Sequence, residues 1–410
     1  MNRPCFAAPL LFSIGTSLAN YALAGFVEDS KASVELRNFY LNRDFRQGNA
    51  PQSRTDEWAQ GVTGRLVSGF TEGTVGFGVD ALGQLGIKLD SSPDRRGSGL
   101  LPAGDSGRAA DSYSKLGLTA KARVGKTVLN LGTLQPTLPV VMYNDTRLLG
   151  SSFRGGVLNS QDIQGLSFNA GRLTRASLRD ASSTEDIGYG AASSDHFDFA
   201  GANYALTPQL GLSYYGASLQ DIYRQQFVGL THRWPLAEGV VLKSDIRYFD
   251  SRDEGRKLAG RIDNRNFNGM IGLEYKAHRL TTAWQYLSGD GDFPFLNGAE
   301  PFVANLVTYN LFTRAQEDSW QLRYDYDFAA WGVPGLTFMT RYVDGRNVKT
   351  ATVKDGREWE RDTDLAYVVQ EGPLKGVSIR WRNVTFRSGD GLTTDVDENR
   401  LIVGYTLALW

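Results

Sequence analysis

The chain has 410 residues, a formal net charge of −1, 11% aromatic residues, 46 glycines, a single cysteine and a mean hydropathy of −0.31. No stretch approaches the roughly 20 apolar residues of a membrane-crossing helix, no basic excess marks a nucleic-acid partner, and one cysteine makes no disulfide framework or metal cluster.

The N-terminus gives the first element. Met1-Asn2-Arg3 is short and positive, Phe6 to Leu18 is apolar or small, and Ala22-Leu23-Ala24 has the A-x-A form of a cleavage site. Residues 1–24 therefore read as a secretory signal peptide and residues 25–410 as the exported domain. Cys5 falls inside the removed segment, so the exported chain needs no redox protection. No Pro-rich or charged linker divides residues 25–410.

Strands follow, recognised by period-two alternation. Trp58, Val62, Leu66 and Phe70 share one phase, with Thr63 and Arg65 in the other. Leu116, Leu118, Ala120, Ala122 and Val124 oppose Lys115, Lys121 and Arg123. Trp320, Leu322, Tyr324, Tyr326 and Phe328 oppose Gln321, Arg323, Asp325 and Asp327. A strand with aromatics on one face and charges on the other suits a membrane barrel, apolar outside and wet inside, better than a soluble core. Short turn signals (Thr71 to Gly73, Val124 to Lys126, Gly332 to Gly335, Glu371 to Pro373) alternate with long polar stretches such as Asp90 to Asp111 and Asp344 to Thr363. Short connections at one end and long ones at the other predict an antiparallel transmembrane β-barrel of about 18 strands.

One segment breaks the rhythm. After the strand Val128 to Leu134, residues 132–156 carry two prolines and four glycines and do not alternate. They are too apolar for a solvated loop and must pack against something. The natural place is the lumen, with an inward constriction loop at about 135–156. At the C-terminus, Ile379 and Trp381 alternate with Arg380 and Arg382, and Leu401 to Leu409 take the phase opposite Arg400. These arginines are expected to face the lumen.

At this point the chain resembles the OprD-type family of substrate-specific outer-membrane porins. The likeness rests on G-F-V-E-D-S and L-R-N-F-Y-L-N-R-D between Gly25 and Asp44, on G-F-T-E-G-T-V-G-F-G-V-D-A-L-G (Gly69 to Gly83), and on L-Q-D-I-Y-R-Q (Leu219 to Gln225). G-V-P-G-L-T-F-M-T-R-Y (Gly332 to Tyr342) and A-Y-V-V-Q-E-G-P (Ala366 to Pro373) continue it in the same order. The resemblance implies a barrel of eighteen strands in the outer membrane of a Gram-negative bacterium, with the third external loop folded inward. It also implies a ladder of basic side chains, to which Arg380, Arg382 and Arg400 correspond, and passage of small molecules bearing a carboxylate. Trp410 stands one step out of the lipid-facing phase that ends many barrels.

By phase, Arg37, Arg323, Arg341, Lys115, Lys121 and Arg123 are further lumen candidates. Tyr143, Asn144, Asp145 and Arg147 are expected to form the opposite edge of the constriction, with Asp292 as a second opposing acid. Asp145 and Arg147 have an equally open alternative, that of pinning the loop to the wall. Each guanidinium can hold a carboxylate with two hydrogen bonds and release it to the next. The loop reading Y-N-D-T-R-L-L looks more like the branch of that family favouring cyclic or aromatic acids, and this resemblance implies such solutes. A channel for basic amino acids or small peptides, or a less selective general porin, is the alternative. The expected partners are small organic acids and outer-membrane lipids, and the expected state is a monomer or weak homotrimer. Nothing points to an enzyme: His196, His232 and His278 sit in alternating runs beside aromatic or basic residues, without a nucleophile motif or metal-ligand spacing.

Overall fold

The computed structural model describes residues 25–46, 50, 52–104, 107–389 and 391–410. The segment read as a signal peptide lies outside them. The wall consists of β1 (Lys31–Phe45), β2 (Arg54–Val67), β3 (Gly76–Asp90), β4 (Ser112–Val124), β5 (Thr127–Leu134), β6 (Ser152–Ser160), β7 (Leu166–Ser177), β8 (Phe197–Ala205) and β9 (Leu210–Leu219). It continues with β10 (Tyr223–Ala237), β11 (Val240–Asp253), β12 (Asp263–Tyr275), β13 (His278–Gly289), β14 (Asp318–Asp327), β15 (Leu336–Val348), β16 (Gly356–Val368), β17 (Ser378–Ser388) and β18 (Val396–Ala408). Each strand is antiparallel to its chain neighbours, and β18 returns to β1 with Leu41 opposite Arg400 and Arg37 opposite Gly404. The barrel is closed, so no row of backbone groups is left as an edge.

The pattern of exposure is inverted relative to a soluble protein. On β4, Leu116 and Leu118 point outward and are 75% and 60% exposed, whereas Tyr113 and Lys121 point inward and are nearly covered. Apolar side chains left in the open on every second position are what a lipid-facing wall requires. Connections of two residues (125–126, 238–239, 276–277) lie at one end of the barrel, and those spanning 91–111, 135–151, 178–196 and 290–317 lie at the other. The short end is the periplasmic one and the long end the external one.

Two boundaries differ from the sequence reading. The stretch 344–363 is not a long loop: β15 runs to Val348 and β16 begins at Gly356. Its alternation is invisible to hydropathy because both faces near the rim are charged, Glu358 and Glu360 inward and Arg357 and Arg361 outward. The irregular segment likewise ends earlier, since β6 starts at Ser152. There Gly155 and Gly156 and a register shift at Arg154/Gly155 disguise the strand.

The external half of the lumen is filled by loops. Leu148 and Leu149 pack with Leu100 and Leu101 against inward-facing Phe39, Leu41 and Ala59. Gly61 on β2 makes room for this contact: a Cβ there would stand 3.0 Å from the Leu148 carbonyl oxygen and 3.2 Å from its side chain. A second cluster packs Val140, Val141, Phe293, Leu296 and Val303 onto Phe197, Phe199, Tyr215, Phe227 and Phe249 of the wall. Each such apolar side chain contributes about 1.5–3 kcal/mol when covered, which holds the loops inside.

Candidate functional site

The site begins with the inward face of β16. Period-two geometry stacks Glu358, Glu360, Asp362 and Asp364 in one acidic column, and all four are buried. Basic side chains flank it on the neighbouring strands. Arg341 of β15 meets Asp362 at 2.6 Å. On β17, Arg382 meets Asp364 at 2.6 Å and Arg380 reaches the other oxygen of Asp364 at 3.4 Å. Register explains the pairing, because Asp364 lies directly opposite Arg382 and Ala366 opposite Arg380.

Two inward loops close over this wall. The first, 135–151, is a hairpin: Thr137–Leu138 pairs with Val141–Tyr143, which pairs in turn with Ala299–Glu300 of the second loop. The second, 290–317, crosses to the acidic column. The backbone N–H groups of Tyr309 and Asn310 donate to the two carboxylate oxygens of Glu360 at 2.8 and 2.7 Å, and Thr308 Oγ1 donates to Asp362 at 2.7 Å. Of this second loop the sequence reading singles out only Asp292, not the loop's docking on the acidic column. Its partners lie on a strand whose charged faces read as a connection, and its own prolines and glycines signal only irregularity.

Beneath the loops lies a cavity of about 580 Å³ lined by Glu35, Arg37, Asp145, Arg380, Arg382 and Arg400 among others. A second of about 570 Å³ is lined by Arg323, Asp325, Arg341, Asp364, Arg380 and Arg382. Arg380 and Arg382 belong to both, so the two join into one polar passage along β14–β18 and β1. Arg380 keeps half of its side chain exposed to that space, whereas Arg382 is about one-fifth exposed.

A closed eighteen-stranded barrel whose loops narrow an arginine-lined lumen is the architecture of a selective pore. The sequence matches the model of the outer membrane porin, OprD family, over residues 24–409. The chain belongs to the OprD family. It is a substrate-specific outer-membrane porin of the Gram-negative envelope, a channel and not an enzyme. Porin-like protein GalP of Pseudomonas putida is 40% identical over 405 residues, with 97% of each chain covered. Among solved structures, Pseudomonas aeruginosa OccK9 (OpdG) superposes with a TM-score of 0.92 at 46% identity, over 94% of this chain and all of its own. Pseudomonas aeruginosa OpdK with vanillate superposes with a TM-score of 0.89 at 38% identity and the same coverage.

The remaining residues singled out in this porin take varied places. Arg37 pairs with Glu35 at 2.6 Å and with Asp145 at 2.8 Å, and it also donates to the Arg147 carbonyl oxygen. Asp145 thus faces the passage and ties the first loop to β1. Arg147 is buried, its Nε donating to the Ser98 carbonyl oxygen at 3.1 Å, and anchors one loop to another. Asn144 Oδ1 accepts from Thr146 and Arg179, and Tyr143 closes the hairpin through its N–H to the Pro136 carbonyl oxygen. Arg400 lines the cavity but is almost wholly covered, bonded to Glu398 at 2.5 Å and to the Thr308 carbonyl oxygen at 2.8 Å. Arg323 pairs with Asp325 at 2.6 Å.

Three basic residues stand apart from the passage. Lys115 donates to the carbonyl oxygens of Gly150 and Leu178 and holds loops in place. Lys121 pairs with Asp80 at 2.6 Å, and both it and Arg123 stack on Phe70 near the periplasmic end. Asp292 accepts from the Ala315 N–H at 2.8 Å within the second loop and lines neither cavity. The acids beside the arginines are instead Asp364, Asp362, Asp145 and Glu35. Burial raises the Glu300 carboxyl above its ordinary range, against the pull of Arg179 beside it.

Proposed function

We propose that this porin admits small carboxylate-bearing solutes, chiefly cyclic or aromatic acids, along a path of arginines on β14–β18 and β1. The observation that carries the reading is the sharing of Arg380 and Arg382 between two adjoining cavities, with Arg37 above and Arg323 and Arg341 beside them. The likeness to OpdK, solved with vanillate, supports an aromatic acid.

A conducting site must attract its solute without trapping it. Bare guanidiniums in a narrow space would hold a carboxylate too long. Here Asp364 and Asp362 take part of the charge of Arg382 and Arg341 and fix their planes, while Arg380 keeps donors free for the solute. Arg380 and Arg382 are two residues apart on one strand face, about 7 Å, so a carboxylate reaches the second before it has fully left the first. The rest of the path follows from Arg323 and Arg341 towards the periplasmic end. Arg400 and Arg147 serve the reading by holding the two loops at the width that forces a solute onto the wall.

Single-channel recording with added vanillate or benzoate tests this. Resolved, concentration-dependent interruptions of current are expected. A large conductance indifferent to every acid would make it a general porin, and interruptions by arginine or lysine alone would assign it to basic amino acids.

A further inference from the structure

We infer that the outer wall across β6–β12, just below the external rim, is a binding site for the phosphate groups of the outer-leaflet glycolipid. The wall here carries an outward level of four aromatic side chains and one valine, continuing onto β13: Tyr214, Val228, Tyr248, Phe267 and Tyr286 are successive cross-strand partners. One outward position closer to the rim, the same strands present Gln226, Asp250 and Arg265, and one further, Arg224, Arg252 and Asp263. Aromatics at a membrane interface mark the level where acyl chains give way to headgroups. The arginines above them therefore stand at headgroup depth.

Two pairs of arginines lie directly opposite one another on adjacent strands of this wall, Arg154 with Arg175 and Arg224 with Arg252. Like charges placed in this way repel unless an anion lies between them. Acids satisfy only part of the set. Arg175 pairs with Asp186, Arg172 with Asp198, and Arg252 with Asp250 and Asp263. Arg265 has only distant contacts with Asp250 and Asp263, at 3.7 and 4.0 Å. Arg154 and Arg224 are exposed and have no ion partner among the described residues. None of these side chains lines the solute passage, so the channel reading does not use them.

The spacing also suits a headgroup with two phosphates. Arg175 on β7 and Arg224 on β10 are separated by three strand intervals, about 14 Å along the wall. Guanidiniums bind phosphate oxygens with paired hydrogen bonds, and the aromatic level below takes the acyl chains. A glycolipid held at both phosphates would supply the anionic partner that Arg154 and Arg224 each lack.

The test uses the purified full barrel in detergent, titrated with bisphosphorylated lipid A, dephosphorylated lipid A and inorganic pyrophosphate, with retained ligand read by native mass spectrometry. The native barrel is expected to hold bisphosphorylated lipid A at least about tenfold more tightly than the dephosphorylated form. Arg154→Gln with Arg224→Gln should remove that difference, with single-channel conductance unchanged. Arg154→Lys with Arg224→Lys, which keeps the charge, should retain most of it and controls for folding. Equal binding by the native and glutamine forms would overturn the inference. So would displacement of the lipid by pyrophosphate alone, which would make this a site for free anions.

Discussion

Arg382 and Arg380 share one acid, Asp364, but share it unequally: Arg382 meets it at 2.6 Å and Arg380 at 3.4 Å, with half of the Arg380 side chain open to the lumen. The buried carboxylate orients one guanidinium and leaves the other available. On the proposed path, that asymmetry would let Asp364 set how long a carboxylate stays.

Asp364→Asn should therefore lengthen residence. It removes the negative charge between two guanidiniums without removing the hydrogen-bonding shape. A charge-assisted hydrogen bond contributes about 1.5–3 kcal/mol, so interruptions of current by an aromatic acid should last about tenfold longer. Single-channel dwell times measure this, and unchanged dwell times would mean that the solute never meets these arginines.

The second inward loop is latched by Glu360, whose two oxygens receive the N–H groups of Tyr309 and Asn310. Glu360→Ala leaves both donors unanswered, at a cost of about 1–3 kcal/mol each. The loop should detach from β16 while the closed wall persists. Open-channel conductance should rise and current noise increase, with the barrel still resistant to detergent.

Arg147 anchors the first loop by donating to the carbonyl oxygens of Ser98 and Thr146, next to the apolar contacts of Leu148 and Leu149. Arg147→Ala removes that anchor and leaves the Ser98 carbonyl oxygen without its donor. Discrimination between an acid and a neutral sugar in liposome swelling should fall by more than the uptake of either. If selectivity is kept, the ties from Arg37 and Lys115 and the apolar contacts hold the loop without Arg147.

Glu317, at the end of the second loop, is wholly buried, and burial together with the neighbouring Glu358 raises its carboxyl well above the usual range. Arg314, which faces both acids, offsets this only in part. Its folded value exceeds its unfolded one, so its contribution to stability is fully present below about pH 4.5. It is lost as pH rises through the raised value. Glu317→Gln should unfold at a higher temperature than the native barrel at neutral pH, and the two should converge in acid. A constant difference at every pH would remove the protonation argument.

Much of the architecture was legible because a barrel wall advertises itself through alternation. Trp320, Leu322, Trp381 and Leu401 all point outward where their phase put them. The apolar, proline-bearing stretch around Pro136 and Pro139 announced a packed loop for the same reason that it could not be a strand. Phase also carried Arg37, Arg323, Arg341, Arg380 and Arg382 to the passage. Phase alone could not rank them by depth along the pore, so Lys121 and Arg123, equally inward, lie near the periplasmic mouth. The acidic column was missed because a strand charged on both faces at the rim looks like a solvated loop. Asp292 was misplaced because an acid in a glycine-rich loop has no period from which to read its direction.

The most direct measurement of the central claim is liposome swelling by the Arg380→Gln, Arg382→Gln double variant, comparing benzoate with a neutral sugar of similar size. The arginine path predicts that benzoate entry falls at least about tenfold, the equivalent of about 1.4 kcal/mol, while sugar entry changes by less than about twofold. Equal loss of both, or no loss of benzoate entry in a correctly folded barrel, would contradict it.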